Sequence, residues 1–489
     1  MIQIKLKNHA MLQITDAEPG VVQDLYNYFS FDVPGAKYMP AYKSRRWDGK
    51  IHLLNKMNGE LNAGLLHELE DYCYKRNYNL RLESSEYGYP GVQNKLNHME
   101  LMRWIETLDL PFKPRDYQYE GFTHALERKR CVLLSPTGSG KSFLIYLLLR
   151  WYLDRHDSSV LLVVPTTSLV EQMYSDFRDY GYNVEDNCHL IYSGKDKDTD
   201  KKIIITTWQS IHKLHPTWFT KFGCIFGDEC HGFKAKSLSS IMNKAINAEY
   251  RFGTTGTLDG TATHQMVLEG LFGPTHRVTT TAKLQKENTL AKLDIDIVLL
   301  NYSDEEKQKV KNATYQEEIE YLVSYSARNR FIRNLACSLD GNTLVLFNLV
   351  EKHGKVLKEL IENKLDDGRR LFYVSGETKT SDREHVRGIV EKQTDSIILA
   401  SLGTFSTGIN IRNIHNIIFA SPSKSQIRVL QSIGRGLRVS DDGRTTKLYD
   451  IADDLRTNGK PNFTLRHSVE RVKIYKKEEF PFKMNSVKI

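Results

Sequence analysis

Cysteine is scarce and scattered. Cys73, Cys131, Cys188, Cys224, Cys230 and Cys337 form no Cys-x-x-Cys pair. That spacing argues against a structural metal site or a disulfide framework and fits a reducing compartment. Long apolar runs are missing too: no stretch approaches the ~18 residues that span a bilayer. The opening MIQIKLKNHAMLQI lacks the apolar centre of a secretory signal. Together these absences point to an intracellular protein. There is no short internal repeat and no low-complexity tract. Charge of one sign does not dominate either, and a net +8 is too mild by itself to imply a nucleic-acid partner.

What is present is ordinary for a folded chain, with 40% hydrophobic and 26% charged residues. A length of 489 residues exceeds one core and implies two to four domains. Residues 1–100 mix short alternating runs with aromatics, ending in LLHELEDYCYKRNYNLRL, which reads as an amphipathic helix and then a strand. We expect a small α+β domain here, with YGYPGVQNK as its linker. Residues 101–274 carry VLLS, VLLVVP, IIITT and CIFGDE, separated by helix-like segments. Residues 275–455 repeat that texture with IDIVLL, TLVLFN, RLFYVS, SIILAS and NIIFAS. Alternating strands and helices predict two α/β domains on parallel sheets buried on both faces. Residues 456–489 read as a basic extension, either a solvated helix face or a phosphate-contacting surface.

The first strand of the second region runs into LLSPTGSGKSFLIYLLL. Glycines let successive backbone N–H groups converge on one anion, and the following helix adds its positive end. Thr137, Gly138, Ser139 and Gly140 would cradle the phosphates of ATP. Lys141 would reach the outer ones, and the Ser142 hydroxyl would ligate Mg²⁺. The strict phosphate-loop pattern asks for glycine at position 135, where this chain has serine. A Mg–nucleotide site also needs a carboxylate at a neighbouring strand end. CIFGDECHGF supplies Asp228 for the metal and Glu229 to polarise the attacking water. Cys230 and His231 lack a second ligand pair, so a metal role for them is rejected.

Asp228-Glu229-Cys230-His231 resembles the Asp-Glu-x-His box of superfamily two helicases, and further boxes follow in that family's order over residues 114–440. PRDYQ resembles the motif whose glutamine, here Gln118, reads adenine. VVPTTSLVEQ and TTWQS resemble strand-contacting motifs, and TTGTLDG resembles the Thr-rich coupling motif. LVLFN, YVSGE, ASLGTFSTGINI and QSIGRGLR match the second motor domain. The resemblance implies two tandem RecA-like motor domains. It implies nucleotide contact by Gly408 and Gln431, and arginine fingers at Arg435 and Arg438. It further implies sequence-independent strand contact by Thr166, Thr167, Thr207, Ser210, Thr255, Thr404 and Thr407. The box is not Asp-Glu-Ala-Asp, which favours DNA over RNA.

Ahead of the motor, AYKSRRWDGKIHLLN sets Arg45, Arg46 and Lys50 around Trp47. Cations interleaved with an aromatic suit phosphate contact plus base stacking, although a hairpin with Trp47 in the core would read the same. This arrangement, with the basic extension, resembles the UvsW-type phage recombination helicases over almost the whole chain. The resemblance implies 3′-to-5′ movement, ATP-driven remodelling of Holliday junctions, forks and R-loops, and action in the cytoplasm of an infected bacterium. Three alternatives stay open: an RNA helicase, a restriction-system motor subunit, and a non-translocating ATP-gated clamp or annealing module. No nuclease domain is seen after Asp454, and protein partners are not indicated.

Overall fold

Parallel strands buried on both faces read as continuous apolar runs, and those runs form the strands observed. In the computed structural model the described residues are 1–33, 35–91, 95–192, 194–232, 235–258, 262–287, 289–290, 292–365, 368–378, 380–408, 413–421 and 445–489. They form two compact units. One comprises residues 1–135 with 140–278, and the other residues 279–489 with 136–139.

The first unit begins with a five-stranded mixed sheet. Its order is Leu54–Asn55, Glu60–Asn62, Met11–Asp16, Ile2–Asn8, Leu80–Leu82. Ile2, Ile4 and Leu6 alternate inward on the period of two, and helix Leu66–Lys75 packs Leu66, Leu69 and Cys73 onto the same core. A two-stranded ribbon, Ser30–Asp32 with Lys50–His52, stands apart from this sheet and brackets the basic loop. The small domain is fixed to the motor sheet beside it. Asn62 Nδ2 donates to Asn243 Oδ1 at 2.9 Å, and Arg130 Nη1 donates to the His9 carbonyl at 3.1 Å.

The motor sheet of this unit has seven parallel strands. Their order is Cys188–Ile191, Ile203–Thr207, Ser159–Val164, Phe222–Asp228, Tyr250–Thr255, Arg130–Leu134, Thr275–Arg277. Its loops at the carboxyl ends carry the phosphate loop and the Asp-Glu box, where open α/β sheets bind ligands. Thr275–Arg277 pairs with Arg130–Leu134, so this sheet runs past residue 274.

The second unit holds another seven-stranded parallel sheet. Its order is Arg370–Val374, Ser396–Ser401, Thr343–Phe347, Asn416–Phe419, Thr446–Asp454, Leu293–Asn301, Phe482–Lys488. Two tandem RecA-like sheets behind a small mixed α+β domain match the expected class. The expected separate extension over residues 456–489 is corrected. Helix Phe463–Lys477 packs on the second sheet, and Phe482–Lys488 closes its edge. Some of its cations are paired within this unit. Arg471 is fully buried against Asp450, Lys483 pairs with Asp296 at 3.1 Å, and Lys473 pairs with Glu470 at 2.8 Å. No helix among the described residues is long and apolar enough to cross a membrane.

Candidate nucleotide and nucleic-acid sites

The loop between strand Arg130–Leu134 and helix Lys141–Leu153 turns on two left-handed glycines, Gly138 (φ 84°) and Gly140 (φ 80°). A Cβ at Gly140 would come within 2.4 Å of Gln118 Nε2, so this position needs glycine on two counts. Ser135, where the strict pattern asks for glycine, is outside the left-handed region. Its N–H donates to the Thr255 carbonyl at 2.9 Å, and its own carbonyl accepts from Lys141 Nζ at 3.3 Å. The serine is therefore compatible with the turn. Ser139 Oγ donates to the Pro136 carbonyl at 2.7 Å and braces the tip. Helix Lys141–Leu153 starts without a side-chain cap, which leaves its first N–H groups to an anion. Gln118 is buried at the start of helix Asp116–Arg128. Its Oε1 accepts from the Arg115 N–H, and its Nε2 lies 3.5 Å from the Gly140 carbonyl.

Asp228 ends strand Phe222–Asp228, and its Oδ1 accepts from Thr254 Oγ1 at 2.6 Å. Burial, and after it the charge of Glu229, push its pKa up to about 6. Glu229 follows in a left-handed conformation (φ 46°), which a non-glycine residue adopts at a cost. Its Oε1 lies 3.4 Å from Lys141 Nζ, and its Oε2 lies 3.3 Å from His231 Nδ1. His231 Nδ1 is also 2.6 Å from Thr255 Oγ1, which donates to the Thr257 carbonyl. A hydroxyl has one proton, so Thr255 accepts from His231, whose Nδ1 carries the hydrogen. Lys141, Glu229 and His231 thus lie in ion-pair contact, and hydrogen bonds continue from His231 through Thr255 to the Thr257 carbonyl. Asp228 and Glu229 share Lys141 as a nearby cation, whose charge only partly offsets the burial that raises the Asp228 pKa. Oxygen donors from Ser142 and Asp228, with unmet negative charge, suit a hard divalent cation.

The strand-contacting candidates divide by exposure. Thr167 is exposed at the start of helix Thr167–Asp179, and Thr166 caps that helix through the Leu169 N–H. Thr207 Oγ1 and Ser210 Oγ are 2.9 Å apart on the adjoining strand end, and Gln209 Nε2 ties that turn to the Pro165 carbonyl. Thr255 does not fit the strand-contacting expectation. It is 0% exposed, and its hydroxyl is taken by His231 and Thr257, so it belongs to the nucleotide-side chain. Thr404 is buried and accepts from Ser401 Oγ at 2.7 Å. Thr407 and Gly408 end helix Leu402–Gly408, with side chains outside what the structure describes. Gln431, Arg435 and Arg438 lie outside the described residues.

In the N-terminal loop Arg45, Arg46 and Lys50 are exposed. Trp47 lies outside the apolar core cluster of its domain, and its indole N–H donates to the Lys50 carbonyl at 2.7 Å. Asp48 Oδ1 accepts from the Lys50 N–H, and Gly49 is left-handed, so the turn is built locally. Tyr38 and Tyr42 are exposed alongside the cations, an addition that residue spacing alone did not single out. Two further residues join the candidate nucleotide site. Thr254 holds Asp228, and Tyr180 places its hydroxyl 2.9 Å from Ser142 Oγ. Thr254 opens the Thr-rich motif TTGTLDG, whereas nothing in the local sequence marks Tyr180.

The comparisons agree with this layout. The profile described as DNA helicase UvsW, N-terminal, matches residues 1–83. That of the type III restriction enzyme res subunit matches 111–260, and the helicase conserved C-terminal domain matches 327–440. The ATP-dependent DNA helicase uvsW of Enterobacteria phage T4 is 33% identical over 513 aligned positions, covering 100% of both chains. The crystal structure of T4 UvsW superposes with a TM-score of 0.52 at 31% identity, covering 100% of this chain and 99% of that one. The type ISP restriction-modification enzyme LlaBIII shares the fold at 16% identity and a TM-score of 0.56, covering 78% of this chain and 32% of that one. Full-length identity to the phage protein, with the matching small domain in front of the same two motor sheets, shows that this chain belongs to the UvsW helicase family.

Proposed function

We propose that this ATP-dependent DNA helicase remodels branched DNA, migrating Holliday junctions and forks and displacing RNA from R-loops, with 3′-to-5′ movement. The observation that carries the catalytic part is the run of contacts from Lys141 through Glu229 to His231, continued by hydrogen bonds to Thr255 and Thr257. Lys141 draws the outer phosphates of ATP onto the helix N-terminus. Glu229 takes the proton of the attacking water, and its departure from Lys141 when phosphate arrives frees it for that task. His231 carries the change to the Thr-rich turn. Mg²⁺ held by Ser142 and Asp228 would supply charge neutralisation of the phosphates. The roles of Gln431, Arg435 and Arg438 at the γ-phosphate, and of Gly408 at the nucleotide, rest on the family motifs. Thr166, Thr167, Thr207, Ser210, Thr404 and Thr407 are assigned to the DNA backbone. Arg45, Arg46, Trp47 and Lys50, beside Tyr38 and Tyr42, are assigned to the branch point. The site of action is the infected host cell.

The test is conversion of a labelled synthetic Holliday junction and of a matched forked RNA. Junction migration that needs ATP supports the reading, and activity on the RNA substrate alone overturns it.

A further inference from the structure

We infer that Tyr180 is a positioning residue for the cation-binding hydroxyl of Ser142, an inference that rests on the assignment of Ser142 to Mg²⁺. A serine hydroxyl has one proton and two lone pairs. To ligate a cation it presents a lone pair, so its proton must be turned toward an acceptor. Tyr180 Oη, 2.9 Å from Ser142 Oγ in a bond either hydroxyl can donate, is placed to be that acceptor.

Tyr180 is held from every direction that matters. Its backbone caps helix Thr167–Asp179. The Gly181 N–H bonds the Arg178 carbonyl, the Tyr182 N–H bonds the Phe177 carbonyl, and Gly181 is left-handed (φ 85°). That is the paired-bond helix terminus that glycine permits, and it fixes where the tyrosine leaves the helix. The ring is caged edge-on by Phe112 and Phe143, with centroids 5.7 Å and 5.2 Å away and interplanar angles of 88° and 76°. Tyr146 adds a tilted ring at 5.3 Å. Three aromatic neighbours and a pinned backbone describe a preset partner, not a side chain poised to swing aside. Groups that orient a metal-binding side chain commonly control metal affinity by 10–100-fold.

Tyr180→Phe keeps the ring and its cage while removing the oxygen. The readout is binding of a fluorescent ATP analogue to the full chain, titrated with Mg²⁺ and again in excess chelator. The ratio of the two affinities measures the gain due to the cation. In Tyr180→Phe that gain is expected to fall by roughly 10-fold or more, with affinity in chelator unchanged. Ser142→Ala is expected to lose the gain as well, and Ser142→Ala/Tyr180→Phe to match Ser142→Ala alone, because the tyrosine acts through the serine. An unchanged gain in Tyr180→Phe, with a loss in Ser142→Ala, overturns the positioning role and leaves the Mg²⁺ assignment standing. A larger gain in Tyr180→Phe overturns it by making the tyrosine a competitor of the cation. An unchanged gain in Ser142→Ala overturns the Mg²⁺ assignment and the positioning role together.

Discussion

Arg471→Met should loosen the second motor sheet from its carboxyl-terminal end. Arg471 and Asp450 are both 0% exposed. Arg471 Nε lies 3.0 Å and 2.9 Å from the two carboxylate oxygens, and Nη2 lies 2.6 Å from Oδ1. Tyr475 donates to Oδ2 at 2.8 Å. Methionine fills similar space but leaves Asp450 charged, dry and held by the tyrosine without its guanidinium. Removing one partner of such a buried pair costs about 3–5 kcal/mol. That is a factor of roughly 10² to nearly 10⁴ in a local opening equilibrium, at about 1.4 kcal/mol per tenfold. Hydrogen exchange reads that equilibrium strand by strand and does not require the two units to unfold together. Amides of Thr446–Asp454 and Phe482–Lys488 should lose protection by that factor, while those of Phe222–Asp228 in the other sheet keep theirs. Adding Asp450→Asn removes the stranded charge but keeps an acceptor for Tyr475, so most of the protection should return. Loss of less than tenfold in Arg471→Met would refute the claim that the tail is an integral strand and helix of this domain.

Acid should weaken the fold through its buried and half-buried neutral histidines. Burial holds His353 at about 3 and His9 and His124 at about 4, against 6.5. The unfolded chain therefore binds more protons between those values and 6.5. Stability is full above about pH 6.5 and falls as pH drops, at up to ~1.4 kcal/mol per pH unit for the fully buried His353. A thermal midpoint that stays flat from pH 7 to pH 5 would contradict this. Joint replacement of Arg45, Arg46 and Trp47 by alanine should weaken binding to a four-way junction more than to single-stranded DNA. Equal losses in a gel-shift titration would remove the loop's special role. Gly140→Ala should abolish nucleotide binding, because it strains a left-handed position and meets the Gln118 amide; retained affinity in a fluorescence titration would show that the loop relaxes freely.

Much of this molecule was legible because parallel strands are buried on both faces. VLLVV, IIITT and SIILAS declare themselves as apolar runs whatever they pair with. Phosphate-loop glycines were legible because few other residues accept φ near 80°. Ser135 departed from the motif without consequence, since its backbone does not enter that region. What stayed hidden depends on contacts between distant segments. Phe482–Lys488 is an exposed edge strand with a mostly solvated pattern, so its sequence looks like a charged tail. Thr255 carries the hydroxyl expected of a strand contact, but the side of the sheet end it faces is set by His231. Tyr180 meets Ser142 across two helices, 38 positions away. Periodicity says which face of an element is buried, not which residue it will meet.

The most direct test of the central claim is single-turnover junction migration by the wild-type chain and by Glu229→Gln, with ATP and DNA binding measured on the same samples. Glutamine keeps the size of the side chain but cannot take a proton from water. Glu229→Gln should bind ATP and junction DNA as the wild type does, yet hydrolysis and migration should both fall roughly 10²–10⁴-fold. Migration at the wild-type rate in Glu229→Gln would contradict the account, because movement would then not be driven from this site.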